Sequence, residues 1–115
     1  MNANKLGKGL ALALGLGVSF LLSISSAQSD KKGNATAGKD VFEGKCSDCH
    51  NADSKEAKDG PGLQGVKDGK LPSGKNATRE VILDLVNKGR DAMPAFKEIL
   101  TDQQKEDVIA FVLTL

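Results

Sequence analysis

Apolar residues are arranged along this chain in three patterns, and each predicts a different kind of segment. Between Leu10 and Ile24 they form a nearly continuous run, preceded by Lys5 and Lys8 and followed by the small residues Ser25-Ser26-Ala27. A basic start, a short apolar centre and a small-residue end make up a cleavable secretory leader, so residues 1–27 are expected to be removed on export. The competing reading is a retained anchor. It is weaker, because the run is shorter than the roughly 20 residues a spanning helix needs and is diluted by Gly15, Gly17 and Ser19. No cysteine follows the run to receive a lipid.

The second pattern has helical spacing and occurs three times. Ala37, Gly38, Val41 and Phe42 share one face of a segment running from Ala35 to about Lys45, with Asn34 placed to cap its free N–H groups. Val81, Ile82, Leu85 and Val86 make the apolar face of a helix from about Arg79 to Asn87, with Thr78 or Asn76 ahead and Gly89 as its stop. Val108, Ile109, Phe111, Val112 and Leu115 form the stripe of a last helix capped by Thr101 or Asp102. A glycine inside a helix costs about 1 kcal/mol relative to alanine, so Gly38 calls for a reason such as close approach of another helix. Crossing of the first and last helices, with Phe42 and Phe111 near Gly38, supplies it. The third pattern is a lack of periodicity. Residues 51–75 hold five glycines and two prolines, which favours turns over long elements and implies an organiser beyond the segment's own ladders. Residues 28–33 are polar and read as a flexible lead-in, leaving 34–115 as one all-α domain.

Composition sharpens this picture. Without the leader, 88 residues remain, with 14 Lys and Arg against 15 Asp and Glu and only Phe42, Phe96 and Phe111 as aromatics. So small a core is marginal by itself, and a buried prosthetic group would complete it. Charges of both signs are interspersed with no basic run, which argues against nucleic acid or an anionic membrane as partner. No stable membrane insertion is expected once the leader is gone.

The chemistry concentrates in Cys46-Ser47-Asp48-Cys49-His50. At C-x-x-C-H spacing two thiols add across the two vinyl groups of one haem while the neighbouring imidazole reaches its iron. Zinc would want four ligands, and the whole chain offers two cysteines and one histidine. A thioredoxin-like pair would want a βαβ setting, and a structural disulfide gives no role to the adjacent histidine. If His50 binds iron on one side, the opposite axial position falls by elimination to Met93, the only methionine beyond the leader. It lies in Gly89-Arg90-Asp91-Ala92-Met93-Pro94, which ends a helix and cannot extend it, so the thioether sits on a loop able to fold over a haem. A Met/His pair raises the reduction potential. Two glycosylation sequons, Asn34-Ala35-Thr36 and Asn76-Ala77-Thr78, read as chance matches at helix starts.

Taken in order, these pieces resemble the class I c-type cytochromes of the small bacterial periplasmic monohaem type. The resemblance covers about Asn34 to Leu115: Gly38 and Phe42, the Cys46–His50 pentapeptide, Gly60-Pro61-Gly62-Leu63-Gln64-Gly65, Gly89 to Phe96, then the terminal helix. The attachment motif lies near the start of the mature chain, whereas helical-bundle cytochromes carry it near the end. The resemblance implies a small cytochrome c fold, with N- and C-terminal helices crossing and three to four helices wrapped with loops around one covalent haem c. It implies that the Pro61 carbonyl orients His50. It also implies a soluble, monomeric one-electron carrier of the periplasm, not an enzyme, serving redox partner proteins in a respiratory or related chain. Alternatives are a haem enzyme or sensor with a displaceable sixth ligand, and an electron-transfer subunit of a membrane complex. Unlike many relatives, the mature chain lacks Trp and Tyr, which leaves Arg79 or Arg90 as candidate propionate partners.

Overall fold

A computed structural model describes Gly15 and residues 32–115, so the proposed leader and most of the lead-in lie outside the described residues. Three α-helices follow in order: α1 (Ala35–Lys45), α2 (Arg79–Lys88) and α3 (Asp102–Val112), with a single 3-10 turn at Val66–Asp68. This is the expected all-α arrangement. Among the described residues, no helix is long and apolar enough to cross a membrane.

Each helix begins where a short polar side chain replaces the missing intrahelical acceptors. Asn34 Oδ1 accepts from the Thr36 and Ala37 N–H groups at 2.9 and 3.1 Å, and Thr78 Oγ1 accepts from Val81 at 3.3 Å. Thr101 and Gln104 form a reciprocal box: the Thr101 hydroxyl accepts the Gln104 N–H at 3.1 Å, and the Gln104 side chain accepts the Thr101 N–H at 2.9 Å. α2 runs one residue further than its apolar pattern and stops at Gly89, whose φ is +66°.

The crossing of α1 and α3 forms the centre of the molecule. A Cβ at Gly38 would strike the Asp107 carbonyl and the Phe111 Cβ, so the absence of a side chain lets the two backbones meet. Phe42 and Phe111 then pack with ring centroids 5.3 Å apart and planes tilted by 57°, a geometry favoured by the ring quadrupoles. Phe42, Val66, Leu71, Ile82, Val108, Ile109 and Val112 make the core cluster. Polar ties hold the helix ends: Asp107 Oδ1 accepts from the Asn34 N–H at 2.8 Å, and Arg79 pairs bidentately with Glu106, bolting the start of α2 onto α3.

The glycine-rich segment has more internal order than its sequence suggests. Lys70 and Asn76 form an antiparallel bridge, and the Ala77 N–H reaches the Gly69 carbonyl at 3.0 Å. The Lys67 N–H donates to the Leu115 carbonyl at 2.7 Å, which anchors the loop to the chain's end and seats Val66 in the core. Isolated bonds of this kind leave no periodic trace in sequence.

Candidate haem site

The pentapeptide grows directly out of α1. The Cys46 and Ser47 N–H groups both donate to the Phe42 carbonyl, at 2.8 and 2.9 Å, and the Cys49 and His50 N–H groups both return to the Cys46 carbonyl, at 3.1 and 2.9 Å. The chain thus turns tightly at the helix end and presents both sulfurs and the imidazole within one continuous turn. Both thiols are free and partly exposed. Burial, reinforced by the neighbouring Cys49, pushes the Cys46 thiol up to about 11. A catalytic dithiol needs the opposite shift toward thiolate, so the electrostatics argue against a thioredoxin-like pair.

His50 is oriented from the glycine-rich segment 51–75. Its Nδ1 lies 2.8 Å from the Pro61 carbonyl, and because a carbonyl only accepts, Nδ1 carries the proton and Nε2 keeps its lone pair. In the neutral ring that is the tautomer needed for ligation through Nε2. The loop is strapped to the pentapeptide by further bonds, from the Gly60 N–H to the Cys49 carbonyl at 2.8 Å and from Lys58 Nζ to the Ser47 carbonyl at 2.9 Å.

Met93 lies in a turn closed by its own backbone N–H and carbonyl. Arg90 and Met93 exchange both N–H···O bonds, at 3.0 and 2.8 Å, and the Phe96 N–H donates to the Val86 carbonyl at 2.8 Å. Gly89 and Asp91 flank this bridge with φ of +66° and +52°. A Cβ at Gly89 would also strike the Met93 carbonyl, so only glycine fits there on both grounds. With its backbone fixed, the half-buried Met93 offers its thioether as the free group.

These donors suit a haem: two thiols for the vinyl groups, an imidazole whose Nδ1 is held by Pro61, and a thioether on a preformed turn. Among the described residues no group of three or more His, Cys, Asp or Glu could hold a bare metal ion. Of the candidate propionate partners, Arg79 is committed to Glu106, and its charge is reinforced chiefly by that hydrogen bond. Arg90 is exposed and pairs with the adjacent Asp91, at 3.5 Å. Sequence reasoning gave no role at the site to Lys58, Glu106 or Asp107, and placed Gly60 only within the Gly60–Gly65 stretch. Thr101-x-x-Gln104 was a readable cap, but the other four act through contacts made only on folding.

Residues 33–112 match the family described as cytochrome c oxidase, cbb3-type, subunit III. A cytochrome c6 of Rippkaea orientalis is 36% identical over 81 residues, covering 70% of each chain. A cytochrome c6 of Leptolyngbya boryana is 35% identical over 80 residues, covering 70% of this chain and 91% of the relative. Among solved structures, cytochrome c6 from the diatom Phaeodactylum tricornutum aligns with a TM-score of 0.59 at 28% identity, over 71% of this chain and 93% of that one.

Proposed function

The chain belongs to the class I c-type cytochromes, and from that premise we propose that it is a diffusible electron carrier whose single haem c is held by Cys46, Cys49, His50 and Met93. The bound haem supplies a one-electron ferric–ferrous couple. The protein supplies everything that tunes it. Cys46 and Cys49 provide the thioethers, His50 binds through Nε2, and Pro61 holds the ring by accepting its Nδ1 proton, a bond that raises ligand basicity. Met93 would contribute its thioether, a soft donor that would favour the ferrous state and so raise the potential. The observation that carries this reading is the His50–Pro61 bond at 2.8 Å, which selects the iron-binding tautomer. With His50 and Met93 both serving as ligands, no ligand position would be left for a substrate, so the role we infer is transfer and not catalysis. Residues 1–27 act as the leader that delivers the domain to the periplasm.

Substituting Met93→Ala tests the axial assignment. It should abolish the weak near-infrared thioether-to-ferric-iron band, lower the potential, and let reduced protein bind carbon monoxide, which the wild type should resist. A band that survives the substitution would remove Met93 from the site. Ready carbon monoxide binding by the wild type would instead favour a sensor or enzyme. The oxidase-subunit family match supports a second reading, a carrier held within a membrane complex. Size-exclusion chromatography of detergent-solubilised and periplasmic fractions separates the two, since a free carrier elutes with the periplasmic fraction at monomer size.

A further inference from the structure

Gly60 lies against the ring of His50. A Cβ built on it would fall 2.5 Å from Cε1, 2.9 Å from Nδ1 and 3.0 Å from Nε2, closer than real Cβ contacts allow. Conformation does not explain this glycine. The glycines with left-handed backbones are Gly65, Gly69, Gly74 and Gly89, whereas Gly60 precedes a proline in a region open to any L-residue. Nor can the backbone readily withdraw. The Gly60 N–H is bonded to the Cys49 carbonyl and its carbonyl accepts the Lys58 N–H at 2.9 Å. Lys58 itself reaches the Ser47 carbonyl, and Pro61, the next residue, holds Nδ1.

We propose that Gly60 is a positioning residue that sets the plane of the His50 imidazole: its bare Cα forms one wall of the ring's slot while the Pro61 carbonyl fixes the ring's edge. A hydrogen bond to Nδ1 alone leaves the imidazole free to rock about its Nδ1···O direction, and a backbone face beside the ring limits that rocking. A side chain at position 60 turns the ring, and with it the axial ligand's orientation over the haem. The inference rests on His50 being the iron ligand.

The test compares haem-loaded Gly60→Ala with Gly62→Ala. Gly62 lies two residues away in the same loop, and the atoms nearest a Cβ there are backbone atoms of Ser54, Lys55 and Glu56, whereas at Gly60 all three are ring atoms of His50. Both variants strain the loop, but only Gly60→Ala should redistribute the paramagnetically shifted haem methyl resonances of the ferric protein, which report the imidazole plane. Gly62→Ala should keep the wild-type pattern at reduced thermal stability. An unshifted pattern in Gly60→Ala overturns the proposal, as does an equal redistribution in both variants. Should Gly60→Ala yield no loaded protein, the Lys58→Ala/Gly60→Ala double variant, whose released strap lets the loop draw back, should load haem and show the shifted pattern. Failure to load in that double variant and in Gly62→Ala alike would assign the effect to loop packing and overturn the proposal. Failure of the underlying reading looks different, since the wild type itself would then lack a low-spin, histidine-ligated haem c spectrum.

Discussion

Gly38 and Gly44 belong to the same helix, yet a methyl group added to each meets opposite surroundings. At Gly44 nothing lies within 4 Å, whereas at Gly38 the Asp107 carbonyl and Phe111 block it. Alanine gains about 1 kcal/mol of helix propensity at either position, and overpacking a tight contact costs about 1–3 kcal/mol. Gly44→Ala should therefore stabilise by up to about 1 kcal/mol. Gly38→Ala should destabilise, because the blocking atoms are largely backbone. Denaturant melts of the two haem-loaded variants check both signs, and two stabilised variants would contradict the crossing. Asp91 offers a second contrast, since a left-handed φ of +52° is tolerated by Asp but strained for β-branched residues. Asp91→Gly should leave stability and the near-infrared band intact. Asp91→Val should destabilise by about 1–2 kcal/mol and weaken the band by disturbing the Met93 turn. At this scale spacing and scarcity mark Cys46, Cys49, His50 and Met93 as the residues proposed to hold the haem. Gly60 stood in the sequence only as part of the Gly60–Gly65 stretch, and its place against the imidazole appears only in the fold.

Helices α1 and α2 were legible nearly to the residue, because each combines an apolar face at helical spacing with a capping residue. By contrast, α3 stops at Val112 and leaves Leu115, read as part of its stripe, outside the helix. The structure also selects Thr78 and Thr101 from the two caps that the starts of α2 and α3 had each offered. The 3-10 turn and the Lys70–Asn76 bridge were not legible, since each depends on one or two backbone bonds with no repeating signature. The polar half of the α1–α3 junction was also hidden. Asp107 is buried beside Val108 on a face that the apolar stripe alone would describe, and its Oδ1 accepts both the Asn34 N–H and the Gln103 side chain, at 2.8 Å each. Asp107→Ala leaves those donors unmatched, a loss of about 1–3 kcal/mol. Amide exchange should quicken first at the N-terminal turn of α1, and uniform quickening across all three helices would argue against this tie. Thr101→Ala removes half of the α3 capping box and should cost about 1 kcal/mol by thermal melting.

For the molecule as a whole, a core of this size is marginal without its prosthetic group, so Cys46→Ala with Cys49→Ala should leave a chain with no cooperative thermal transition. Lysines 45, 55, 58, 67, 70, 75, 88 and 97 are all exposed and spread through the haem-binding stretch; if they ring the exposed haem edge, they would give an acidic redox partner a surface to meet despite the near-zero net charge. Stopped-flow electron transfer to an acidic acceptor should slow as salt rises from 0.01 to 0.1 M, where the Debye length falls from about 30 to about 10 Å. A neutral acceptor should show little change, and equal, salt-independent rates for both would exclude steering by these lysines. All of this depends on a haem joined covalently to the pentapeptide. Acid–acetone extraction of the purified wild-type protein tests that joint most directly: the haem absorbance should stay with the precipitated polypeptide, whereas haem recovered in the acetone phase would contradict the account.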